Sequence, residues 1–234
     1  MGTDSFTTGD LAAIGFFLAC WVAFSHATSG RFVSRRSLTE LMNVQRTAWV
    51  TNMARRELRM IDTAIMLGLQ QGTAFFASSA LIALGGCFAL IQGSDAVISI
   101  LVDVPYSAPP VRAAYEAKVL GLMTILAYTF FKFGWAYRLF NYCSILIGAV
   151  PMQRDEHAAA EFDLAVERAA RMNVVAGRHF NAGLRGMFFS IGYLGWFIGP
   201  LALALTTLFV LAVLVRRQFF SQARRTLLDE PAAS

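Results

Sequence analysis

From Thr63 to Gln92 the chain carries no charged residue. As a helix that stretch would be about 45 Å long at 1.5 Å per residue, against a hydrocarbon layer of about 30 Å. A water-soluble core has no use for an apolar helix of that length, so this run commits the chain to a membrane. Three further apolar runs repeat the pattern, at 11–26, at 117–138 (apolar core Val119–Phe131) and at 187–215. Only 15% of the residues are charged, where a soluble domain carries about 25%. These runs predict an all-α integral membrane helical bundle, one membrane domain over 1–234 with four transmembrane spans, in which long helices extend into a cytosolic helical layer.

Two charged segments lie between the spans. Over 37–60, Leu38, Leu41, Met42, Trp49, Met53 and Met60 recur at helical spacing, with arginines on the other face. Such a helix either lies in the headgroup plane or packs on its own protein. Over 152–185, Glu167 and Arg171 sit four residues apart, the spacing of a surface ion pair on a helix. This segment predicts a cytosolic helix packed on the first. Asp10 and Asp62 stand where a carboxylate can cap the first and second spans. The connection 93–112 holds Asp95, Asp103, Pro105, Pro109 and Pro110 and almost no cation, which places it outside. Four spans then put both termini outside and both arginine-rich loops inside. The tail RRQFFSQARR, basic as well, opposes this parity. A re-entrant last run broken at Gly199-Pro200 is the alternative.

The polar groups that could carry function gather near the inner ends of the spans. Lys132, Arg138 and Asn141 lie on the third helix, and Arg178, His179, Asn181 and Arg185 just before the last apolar run. Guanidinium groups suit phosphate because their planar fork gives paired hydrogen bonds. The set therefore predicts a cationic pocket for an anion or a lipid headgroup, weighed against simple anchoring of span ends. Anionic phospholipid of the bilayer is the expected partner, and nucleic acid is not one. Gly68/Gly72 and Gly195/Gly199 have the spacing that lets membrane helices approach closely, so they mark possible homo-oligomer faces.

No catalytic motif is present. GxSxG, HExxH and a phosphate-cradling glycine loop are all missing, and Glu156-His157 with Glu161 lacks a metal-binding spacing. Cys20, Cys87 and Cys143 are scattered in apolar segments, as packing residues are. His26 and His179 as paired haem ligands have little behind them. The expectation is therefore no enzyme, no metal and no cofactor. What is left is an interaction, scaffold or anionic-lipid-associated role in the inner or plasma membrane, with a bacterial cytoplasmic membrane expected. An oligomeric small-solute transporter or channel is the alternative, although the charged residues cluster at span ends rather than at mid-membrane.

The stretch FFKFGWAYRLFNYCSILIGAVP at 130–151, the run Ala176–Arg185, Gly195-Trp-Phe-Ile-Gly-Pro200, Gln45-Arg46-Thr-Ala-Trp49 and Arg55-Arg56 together resemble the bacterial and plant family called domain of unknown function 599. The resemblance covers nearly the whole chain. It implies a multi-pass membrane protein and no established activity. Its matching positions are Lys132, Trp135, Arg138, Asn141, Tyr142, His179, Phe180, Asn181, Arg185 and Trp196. One departure is Gly186-Met187, where a bulkier aromatic residue is expected.

Overall fold

The structure, a computed structural model, describes residues 6–28, 35–102, 111–151 and 159–228. Asp103, Pro105, Pro109, Pro110 and Glu156-His157 lie outside the described residues. All regular structure among the described residues is helical: α1 (Thr8–Ala27), α2 (Leu38–Ala54), α3 (Met60–Gln92), α4 (Ser94–Val102), α5 (Arg112–Gly148), α6 (Ala159–Tyr193), a 3₁₀ turn (Leu194–Phe197), α7 (Pro200–Phe219) and α8 (Gln222–Thr226). Four stretches are long and apolar enough to cross a membrane: Thr8–Ala27, Met60–Gln92, Arg112–Gly148 and Pro200–Thr226. The protein is thus an all-α, multi-pass membrane bundle.

Helix starts follow local chemistry. α1 and α2 each open with a capping box, Thr7 with Asp10 and Ser37 with Glu40, in which side chain and backbone satisfy each other's free N–H groups. Asp10 therefore sits inside the first turn as the reciprocal partner, and Thr7 is the cap. Asp62 does not cap α3 either. Arg59 holds the cap position without a side-chain bond, and Asp62 turns into the protein.

The expected span 187–215 is two elements. Residues 187–193 finish α6, the chain turns through Leu194–Phe197, and α7 begins at Pro200, whose missing N–H suits the first helical position. Gly195 makes the turn tight. A Cβ there would stand 2.7 Å from the Ala202 carbonyl oxygen and 2.3 Å from Thr206 Oγ1. Hydropathy alone reads through this break because both sides of it are apolar.

The break changes the topology. α6 runs antiparallel along α5, from the Ala169 carbonyl accepting from Cys143 to Tyr193 donating to the Lys118 carbonyl. Five long helices, α1, α3, α5, α6 and α7, thus run alternately between two ends of the bundle. At one end Asp10 of α1 meets Trp196 and Lys118. At the other, Thr39 of α2 receives Gln218 of α7, and Arg224 of α8 donates to the Arg36 carbonyl. Residues 6 and 228 consequently lie at opposite ends, and the basic tail joins the basic loops.

Two hydrophobic cores divide the bundle. One, around Phe17, Leu122, Phe189 and Leu203, ties α1, α5, α6 and α7. The second, around Met53, Phe140, Cys143 and Ala169, lies at the basic end and joins α2 to α3, α5 and α6. Leu41, Val50 and Met53 of α2 are buried in the protein, so this helix packs on its own chain rather than lying free on headgroups. Gly186 explains the departure noted in its sequence. It lies against Thr129, and a Cβ would come within 2.3 Å of that hydroxyl, so no aromatic side chain fits.

Candidate functional site

Residues 178, 181 and 185 recur on α6 at three- and four-residue spacing and so share one face. That face closes one side of a cavity of about 370 Å³ at the basic end. α2 supplies Thr39, Asn43 and Arg46, α7 supplies Arg217 and Gln218, and α1 supplies Phe24. A smaller cavity of about 160 Å³ continues it past Arg178 and Glu40. The two share Thr39, Asn43, Asn181 and Arg185 and form one cleft between α1, α2, α6 and α7.

Each cation in the cleft is held differently. Arg46 lies flat over α6, where Gly177 leaves room; a Cβ there would be 2.9 Å from Arg46 Nε. Its NH1 donates to Asn173 Oδ1 at 2.8 Å, and its guanidinium stands 5.8 Å from the Phe140 ring centre. Burial pulls its pKa below the ordinary value, yet a guanidinium remains charged in proteins. Arg217 stands over the Phe188 ring at 5.6 Å. Arg178 is exposed at the mouth. Arg185 is half-buried, and its Nε is sealed from solvent with no hydrogen-bond partner. Among the described residues the one carboxylate lining the cleft, Glu40, is already spent on the α2 capping box. Thr39 is tied to Gln218 by two bonds of 3.2 and 3.1 Å, which lock α7 against α2. Much of the remaining lining is apolar, with Phe24, Met42, Leu184, Phe188 and Leu214 interleaved with the cations on the same helices. Among the described residues, four cations and a single, committed anion share the cleft with apolar side chains. That arrangement can hold an anion carrying a hydrocarbon part.

The structure divides the residues expected at this site. Arg178, Asn181 and Arg185 come together in the cleft. Lys132, Arg138, Asn141 and His179 do not line it. Lys132 stands 5.2 Å over the Tyr128 ring, and exposed Arg138 donates to the Tyr142 hydroxyl at 2.6 Å. Asn141 is half-buried on α5, and the His179 Nδ1 is buried without a partner. Arg46 and Arg217 complete the site from distant parts of the chain. Their sequence signal is weak, because each reads as one more arginine flanking a span.

The glycine faces separate too. Gly195 packs on α7 within the chain, whereas Gly68 and Gly72 have nothing within 4 Å of a built Cβ. Among the described residues no group of three His, Cys, Asp or Glu could hold a metal ion.

No curated protein and no solved structure matches the chain. Residues 12–223 match the family described as protein of unknown function, DUF599. With almost its whole length matched, the chain belongs to the DUF599 family.

Proposed function

We propose that the protein is a non-enzymatic, lipid-associated protein of a cytoplasmic membrane, whose arginine cleft takes the phosphate of an anionic amphiphile from the inner leaflet. The observation that carries this is Arg185, a half-buried cation whose Nε has no hydrogen-bond partner, lining a cavity with Arg46, Arg217 and apolar side chains. A guanidinium in that position has unused donors, and a phosphate supplies matching acceptors. Phe188 and Leu214 give the hydrocarbon part a surface. The basic end marks the cytoplasmic side by the positive-inside rule, which brings the cleft to the inner leaflet. Solute passage has less support, since Phe17, Leu122, Phe189 and Leu203 fill the bundle between the cleft and the far end.

The test is native mass spectrometry of the full chain in mild detergent, with phosphatidylglycerol, glycerol 3-phosphate and inorganic phosphate as probes. Retained phosphatidylglycerol, weakened roughly tenfold to a hundredfold in Arg185→Ala, is the expected result, since a hydrogen bond to a charged group contributes about 1.5–3 kcal/mol. Tight binding of the two soluble phosphates would assign the site to a free anion instead. Equal binding by wild type and variant would overturn the proposal.

A further inference from the structure

On the other side of the bundle, a second polar group is left incomplete. Asp62 is wholly buried at the start of α3. Its Oδ1 accepts from Trp49 Nε1 at 2.7 Å and from Arg56 NH1 at 2.8 Å. Its Oδ2 is buried and has no partner. A carboxylate accepts through both oxygens, and a buried acceptor left unmade costs about 1–3 kcal/mol. Asp62 also lines a groove of about 480 Å³ between α3 and α5, walled by Met66, Leu67 and Ile147 and ending at Gln70 and Ser144. Gln70 donates to Ser144 there at 3.0 Å. From Asp62 to Gln70 the groove follows about 12 Å of helix. Two arginines each reach a residue of the groove wall: Arg56 through its bond to Asp62, and Arg59 by donating through NH1 to the Ile147 carbonyl, as well as to that of Val150.

The geometry points to a binding site for a phospholipid with a primary-amine headgroup. The ammonium N–H donates to Asp62 Oδ2, the phosphate faces Arg56 and Arg59, and an acyl chain follows the apolar groove toward Gln70 and Ser144. This site needs a donor, whereas the arginine cleft needs an acceptor, so the two select opposite ends of lipid headgroup chemistry. A free anion does not fit a head that presents a carboxylate. A quaternary ammonium does not fit either, because it has no N–H to give.

The test compares phosphatidylethanolamine with phosphatidylcholine on the full chain by native mass spectrometry, with phosphatidylglycerol alongside. The expected result is at least tenfold greater retention of phosphatidylethanolamine. Leu67→Trp changes an exposed groove residue and leaves the Asp62 bonds in place. It should reduce that preference below twofold, with phosphatidylglycerol retention unchanged. Asp62→Asn, which puts an amide where an acceptor is required, should do the same if it folds. Equal retention of the two zwitterionic lipids by wild type, or a preference that survives Leu67→Trp, would overturn the proposal. Loss of phosphatidylglycerol binding in Arg185→Ala alone bears only on the cleft.

Discussion

Asp10→Ala tests how much of the fold hangs on one polar cluster. The carboxylate accepts from the Thr7 amide at 3.1 Å, the Thr7 hydroxyl at 2.7 Å and Trp196 Nε1 at 2.7 Å. Lys118 Nζ lies 3.8 Å away, and the two side chains are only 12% and 11% exposed. Loss of the capping box costs about 1 kcal/mol. Leaving the indole N–H unpaired costs about 1–3 kcal/mol, and stranding a buried ammonium is costlier still, about 3–5 kcal/mol. Lys118 keeps the Trp196 carbonyl at 2.9 Å and the Trp196 ring at 5.4 Å, which offsets part of this. The variant should therefore lose about 3 kcal/mol in reversible unfolding in mixed micelles. Adding Lys118→Met removes the stranded charge, so the double variant should recover about 1–2 kcal/mol over Asp10→Ala. A single-variant loss below about 0.5 kcal/mol, or a double variant no more stable than the single, would refute a buried, coupled pair.

Other consequences can be checked as directly. Reporters fused at the two ends of the chain should read opposite sides of the membrane, with the C-terminal one cytoplasmic; reporters on the same side would exclude five crossings. Gly195→Ala should destabilise by about 1–3 kcal/mol through overpacking, because the carbonyl it would strike belongs to the α7 backbone; an unchanged unfolding midpoint would contradict the tight turn. Gly68→Ala, by contrast, meets open space and should be neutral or stabilising by up to about 1 kcal/mol in the monomer; a loss of stability that depends on protein concentration would reveal a self-association face there. Asn173→Ala should free Arg46 and weaken phosphatidylglycerol binding severalfold, whereas binding at wild-type strength would mean Arg46 needs no anchor.

The architecture was legible where one helix face meets lipid. Thr63–Gln92 announces itself because lipid contact demands apolar residues all along it, and only a few of its side chains are buried in the bundle. α6 was harder to place. It carries Glu161, Asp163, Glu167, Arg168 and Arg171 at one end, and its buried face is built from Ala169, Asn173, Ala176, Gly177 and Gly183. Small residues mark close approach to another helix, and averaged hydropathy does not register that. The cleft was half legible for a related reason. Arg178, Asn181 and Arg185 share a helix face, which spacing reveals, whereas Arg46 and Arg217 reach the same cavity only through tertiary packing. Lys132 and Arg138 carry the same charges, but each stacks on a ring of its own helix and faces away.

That one face of α6 is buried against its neighbours bears on how the chain enters a membrane. A segment with this many charges does not partition by itself. It is carried in against α5, with Phe133 seated on Gly183 and Thr129 on Gly186. α6, the turn at Leu194–Phe197 and α7 thus form a helical hairpin that reaches the membrane as one packed unit with α5. The turn brings Trp196 across to Asp10 and Lys118, a contact that ties α1 and α5 to the far end of α6. A chain stalled before α7 would leave the apolar surface that α7 covers, around Phe17, Phe189 and Gly192, without its partner.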